Sequence, residues 1–185
     1  MLNFLRINDV SDPLFSKLFN LYTITFPRNE RRNWAGLEHE VLYEKRFNPN
    51  VLLKDEEFVG FFNYWSFERF SYIEHLAIIP TLRNQKLGSE AMEIFKKKSD
   101  LPIILEVEMP NNTVAIQRIR FYEQHGFTVL SHNYAQPPYD EKSEFFLPEL
   151  IMCNDVHFGN THFEKIKETL YTEVYHYELE KEEND

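Results

Sequence analysis

A single cysteine in 185 residues excludes an internal disulfide, and no Cys-Cys or Cys-His spacing suits a metal. Cys153 falls in the apolar run LIMC, where a core thiol is the ordinary reading and a nucleophile the unusual one. Glycine is scarce as well. With five in the chain, most turns must be made by Asn, Asp and Pro. No apolar stretch approaches the ~20 residues that cross a bilayer, and MLNFLRINDV lacks the charged-then-apolar order of a signal peptide. The expectation is a cytoplasmic protein. Basic residues are outnumbered, with Lys+Arg 20 against Asp+Glu 30 and a net charge of −10. That balance argues against nucleic acid, whose binding rests on neutralised phosphates, and suits a cationic or amine partner better. The seven histidines lack metal-ligand spacing, and no Ser-His-Asp or glycine-elbow signature is present, so neither a metal nor hydrolase chemistry is expected.

What the chain does have is apolar and aromatic mass, 43% and 16% of residues. A chain of this length buries roughly 70% of its unfolded surface, so one domain over 1–185 is the default. Leu2–Ile7 reads as a strand, followed by a helix that Ser11 or Asp12 caps and Pro13 begins, with Leu14, Phe15, Leu18, Phe19 and Leu21 inward. A helix over Trp34–Phe47 is predicted to stop at Asn48-Pro49-Asn50. Val51–Lys54 and Phe58–Phe67 read as a hairpin about Asp55-Glu56-Glu57, and Ser71–Ile79 as a strand ended by Pro80. A helix from Leu87 to about Ser99 buries Leu87, Ala91, Ile94 and Phe95, and Lys96, Lys97 and Lys98 favour its C-terminal dipole. Ile103–Met109 should be a strand parallel to Ser71–Ile79, since a helix joins them. A helix from Thr113 to about His125 follows, with Gly126 as its stop. Phe127–Tyr134 and Leu147–Met152 read as an antiparallel pair about the loop Ala135–Ser143. Phe163, Ile166, Leu170, Val174 and Tyr177 recur at helical spacing in an additional C-terminal helix near 160–178, before a charged tail.

Two segments carry chemistry. YIEHLAIIPTLRNQKLGSEAM runs from a strand into the start of a helix, whose unpaired first-turn amides and dipole can hold phosphate oxygens. RFYEQHGF ends the next helix. RNQKLG (Arg83 to Gly88) and RFYEQHGF (Arg120 to Phe127) resemble, in order and separation, the two signature motifs of the GNAT superfamily of acyl-CoA N-acyltransferases. The resemblance is specific over 72–134. It implies an α+β fold, a mixed and mostly antiparallel sheet flanked by helices, with one parallel strand pair at the coenzyme A site. Lys86 stands where the first motif usually has Gly, and Asn84 replaces another common Gly. If Lys86 needs a positive φ, the cost is on the order of 1–2 kcal/mol; a right-handed conformation with the side chain turned to phosphate would carry no strain. The Asn that many relatives place seven residues before the Tyr is Ala115 here, so that contact is not carried over.

The resemblance further implies acetyl-CoA as co-substrate. Its pyrophosphate would lie against Arg83, Asn84, Gln85, Lys86, Leu87, Gly88 and Ser89, and its acyl arm along Leu76, Ala77 and Ile78, with the Ile78 N–H facing the carbonyl. Tyr122 occupies the Tyr of the second motif, which implies a general acid to the departing thiolate. An alkyl ammonium with a pKa near ~10.4 must lose a proton before it can attack. Strand alternation places Glu74 on the face of Leu76 and Ile78 and His75 on the other, making Glu74 the first candidate base. Glu106 and Glu108 share one face of the next strand, unusual for an apolar strand, and are placed to assist or to pair structurally with Arg118 or Arg120. If Glu74 and Glu106 face each other, their pKa values should be pushed apart. Glu30, Arg31, Trp34 and Tyr139 fall where relatives build the acceptor pocket.

The expected activity is N-acetyl transfer to a primary amine of a small molecule or peptide by direct attack in a ternary complex. A non-catalytic acyl-CoA sensor or a protein-interaction module on the same fold is the alternative. No nucleic acid or membrane partner is expected, and oligomeric state stays open, a homodimer included.

Overall fold

The computed structural model describes residues 1–140 and 143–177. Glu141 and Lys142 of the expected loop, the last residue of the expected C-terminal helix and the charged tail lie outside the described residues. Eight strands form one sheet: β1 (Leu2–Arg6), β2 (Phe47–Lys54), β3 (Glu57–Ser66), β4 (Ser71–Ile78), β5 (Ile103–Glu108), β6 (Thr128–Val129), β7 (Tyr134–Gln136) and β8 (Leu147–Cys153). The order is β1-β2-β3-β4-β5-β8-β6, with β7 also on β8. Every pairing is antiparallel except β4 with β5. This is the α+β GNAT fold, a mixed sheet flanked by helices, as the motifs implied.

Each sheet face carries its own apolar cluster. On one, Phe15, Leu18 and Tyr22 of helix α1 (Pro13–Thr25) pack on Phe61, Trp65 and Tyr72, together with Leu37 of α2 (Trp34–Tyr43). The same face receives the C-terminal segment: α5 (Val156–Thr161), α6 (Phe163–Thr169) and a π-helical turn over Leu170–Val174. That segment buries Phe163, Ile166, Leu170 and Val174, as their spacing predicts. On the other face, Leu87, Ala91, Met92 and Phe95 of α3 (Leu87–Lys98) meet Ile73, Leu105 and Tyr122, the last from α4 (Thr113–Gln124). Cys153 is fully buried, its thiol pushed up to about 11 by burial, which leaves almost no thiolate at neutral pH.

Three expectations are corrected. Helix α2 ends at Tyr43 rather than Phe47, and β2 runs straight through Asn48-Pro49-Asn50. Pro49 is tolerated because it stands where β1 leaves the sheet: the Ile7 N–H donates to the Pro49 carbonyl at 2.9 Å, and only the returning rung is lost. The edge strand expected over Phe127–Tyr134 is broken in two, with β6 beside Cys153 and Met152 and β7 beside Glu149 to Leu147.

The third correction reaches the site. Asn63 of β3 faces His75 and Tyr64 faces Ile73, so Glu74 is an extra residue in β4, a β-bulge. Past it the alternation is reset. Glu74 therefore does not share the face of Leu76 and Ile78, which pack toward α3; it lies with His75 and Ala77 on the α1 face, in contact with Trp65.

Candidate active site

The parallel pair stays paired only at Ser71, Tyr72 and Ile73, against Ile103, Ile104 and Leu105. Beyond them β4 and β5 diverge. The Ile79 N–H donates to Val59 at 3.0 Å, so backbone alternation turns Ile78 away from β3 and toward the opening. The Ile78 carbonyl on that side accepts from Arg83 Nε at 3.3 Å.

On the α3 face, the opening meets the loop from Arg83. Asn84 and Lys86 adopt φ of +65° and +61°, so the right-handed alternative for Lys86 is excluded and the loop keeps a backbone that glycine would adopt freely. Arg83 through Lys86 are exposed. Helix α3 then begins with no side-chain cap, whereas Asp12, Asn33, Asn112 and Asp155 cap α1, α2, α4 and α5. Its first-turn amides are left for an anion. A Cβ on Gly88 would sit 3.6 Å from Phe121 and 3.9 Å from Ile78, ordinary contact, so the protein's own packing does not demand glycine here.

On the α1 face the same opening leads into a small cleft lined by Glu30, Glu74, Glu106, Glu108 and Glu149, with Arg118 as its cation. Glu74 is buried and accepts from Arg32, from Trp65 Nε1 at 2.9 Å and from the Tyr139 hydroxyl at 2.9 Å. Burial opposes its ionisation, but Arg32, His75 and the Trp65 donor outweigh it and hold the carboxyl below its ordinary value. Arg32 also contacts Glu40 at 3.3 Å and the Val174 carbonyl, which ties the C-terminal segment to the site. Glu106 accepts from the hydroxyls of Tyr72 at 2.5 Å, Tyr134 and Tyr175. Here burial wins over the three phenols, and with the charge of Glu74 nearby the carboxyl is raised to about 7. The two pKa values are thus pushed apart. His75 is buried beside them, with Nε2 at 3.0 Å from the Glu30 carbonyl and Nδ1 at 4.0 Å from Glu74, without a hydrogen bond among the described residues; since a carbonyl only accepts, Nε2 carries a proton.

Of the residues singled out in the sequence, Glu74, Glu106, Glu108, Glu30 and Tyr139 converge on this cleft. Arg31 and Trp34 do not: Arg31 Nε donates to the Phe26 carbonyl at 3.0 Å, and Trp34 packs edge-on against Phe15 and Phe19. Glu108 also pairs with Arg118. Tyr122 is buried against Phe121 and Phe127, its phenol raised to about 12 by burial, and its hydroxyl bonds to none of the described residues. Arg32, Tyr72, Tyr134, Glu149 and Tyr175 were missed. They lie far apart in the chain, and only Glu149, a charge within the apolar run LPELIMC, carried a local signal.

An uncapped helix start and a carboxylate cleft flank one strand opening, an arrangement with the chemistry to bring an anionic donor to a polar acceptor. The chain belongs to the acetyltransferase (GNAT) family, whose model matches residues 15–127. It is similar to a protein of Bacteroides thetaiotaomicron assigned to that family, at 34% identity, covering 95% of this chain and 99% of that one, with a TM-score of 0.89. It is also 31% identical over 104 residues to YjbC of Bacillus subtilis (strain 168), named provisionally as an acetyltransferase; the match takes in 55% of this chain and about half, 52%, of that protein. An aminoglycoside 6'-N-acetyltransferase complexed with coenzyme A shares the fold at 14% identity, with a TM-score of 0.59 over 83% of this chain and 95% of that one. Among the described residues, no helix is long and apolar enough to cross a membrane.

Proposed function

We propose that this protein is an acetyl-CoA-dependent N-acetyltransferase that acts on a primary amine by direct attack within a ternary complex. One observation carries the reading: the gap between β4 and β5 opens on one face to the uncapped start of α3 and on the other to the carboxylate cleft. A donor held by its phosphates at α3 reaches an acceptor on the far face through that gap.

The residues present fit the donor. The free first-turn amides of Leu87, Gly88 and Ser89 are assigned to the pyrophosphate, with the exposed cations Arg83 and Lys86 in the loop that leads into them. When bound, acetyl-CoA supplies an activated thioester. The Ile78 N–H is the donor to its carbonyl oxygen as charge develops there.

Within the cleft the carboxylates divide their work. Glu74, held ionised by Arg32, keeps Tyr139 and Trp65 in place and its charge raises the affinity of Glu106 for a proton. Glu106, near 7, takes the ammonium proton, since three phenols leave one of its four lone-pair sites open. The amine nitrogen then bonds to the acyl carbon, the C–S bond breaks, Tyr122 gives its proton to the departing thiolate, and the nitrogen sheds its second proton to water, from which Tyr122 is reprotonated. No covalent enzyme intermediate forms.

Two measurements test the proposal. Acetyl-CoA at 100 times its dissociation constant should raise stability by about 2.7 kcal/mol, read as a melting shift. Thiol release should then depend on an added primary amine. Stabilisation without release under any amine would mark a sensor instead, and the absence of both would reject donor binding.

A further inference from the structure

We propose, resting on the transferase reading above, that the acceptor is a linear aliphatic diamine, its second ammonium held by a subsite at Glu149, Glu108 and Glu30. Glu149 of β8 stands directly opposite Glu108 of β5 in the antiparallel ladder. Like charges in that position are destabilising, the more so when buried. Glu108 is paired with Arg118. Glu149 is 6% exposed, lines the cleft, and has no hydrogen-bond or ion-pair partner among the described residues; Arg118 acts on it only at longer range. Glu30 closes the subsite from the short 3-10 turn Arg28–Glu30.

An unpartnered, buried carboxyl aimed into a cleft is costly unless a ligand supplies the missing charge. Without one, burial and the charges of Glu106, Glu30 and Glu108 keep Glu149 protonated well above its ordinary range. The three carboxylates against one Arg118 leave room for a cation, and the smallness of the cleft favours a slender one. Position sets its length. Glu108 lies two residues beyond Glu106 on β5, and Glu149 is its cross-strand neighbour, so the subsite is ~7 Å from the proton acceptor at ~3.3 Å per residue. An extended four- or five-carbon diamine spans that distance.

Comparing 1,4-diaminobutane with butylamine tests the subsite, because the two differ in the second ammonium. With acetyl-CoA saturating, kcat/KM for the diamine should exceed that for the monoamine by at least ~30-fold, the scale of one desolvated charge pair. Glu149→Gln should bring the ratio to near one, and Glu30→Gln, on a half-exposed turn, should reduce it in part. Calorimetry on the full-length chain with coenzyme A present provides a readout that needs no turnover: diamine binding should be selective and should release protons as Glu149 ionises. Transfer to both amines at equal efficiency, or a ratio unchanged in both variants, would overturn the subsite. Selective diamine binding with no transfer would overturn the transferase reading and leave the subsite standing; equal binding of both amines would overturn the subsite whatever the activity.

Discussion

The two sides of the β4–β5 opening are built on different principles. The α3 side is local and made of backbone: a turn from Arg83 to Lys86 and the first amides of one helix, all within a few residues of each other. The α1 side is made of side chains from seven separate segments, joined through Arg32, Glu74 and Glu106 by bonds spanning up to 142 residues of chain. The lesson concerns robustness. A backbone site survives substitution when the new residue can adopt the conformation, as Asn84 and Lys86 do at positive φ. A buried charge network survives only if all of its members remain.

That difference can be tested, beginning with the network. Arg32→Met should cost about 3–5 kcal/mol in denaturant unfolding, because it leaves Glu74 buried without its cation and Glu40 with His176 alone. A loss below ~1 kcal/mol, the worth of an exposed pair, would mean the network is a surface-like one.

The next effect separates the two central carboxylates by the sign of their pH dependence. Glu106 binds its proton more tightly folded than unfolded, its ordinary value being 4.5 and its folded value about 7. It therefore contributes stability at low pH that is lost as pH rises through that window, on the order of 3 kcal/mol. Glu74 is shifted down, so its contribution is present above the ordinary carboxylate range and is lost as pH falls through its folded pKa. Unfolding measured from pH 4 to 8 in Glu106→Gln should show a smaller loss of stability toward neutral pH, the remainder belonging to Glu149, and the rising limb of kcat/KM near pH 7 should vanish. A limb that persists would assign the proton acceptor elsewhere.

Across the opening, Tyr122→Phe should lower turnover about 10-fold or more while acetyl-CoA affinity stays the same, the pattern for a proton given only in the transition state. Equal turnover would remove Tyr122 from the chemistry. The smallest effect belongs to the loop: Lys86→Gly should raise stability by roughly 0.5–1 kcal/mol, the relief of a left-handed Lys less the added freedom of the unfolded chain. If it destabilises instead, the Lys side chain contributes something that the strain conceals.

Helix starts, turns and strand runs were readable where local chemistry decides them. Asp12 before Pro13, Gly126 after α4 and the apolar faces of α3 and the C-terminal segment all stand as their spacing predicts. Pro49 misled because a missing N–H matters only against a neighbour, and the neighbour's end point lay elsewhere in the chain. Glu74 misled for a related reason. Strand alternation assumes an unbroken ladder, and the bulge is a property of the β3–β4 pair rather than of YIEHLAI.

Sequence by itself determined the α3 side: strand, turn and helix are contiguous, and the free amides of the first helical turn follow from the backbone within a few residues. Tertiary structure alone decided the α1 side. Which carboxylate is ionised, which is held near neutrality and which is left without a partner depends on burial and on donors from Arg32, Tyr134 and Tyr175. Those are properties of the folded arrangement, because a charge is costly or favourable only relative to what surrounds it.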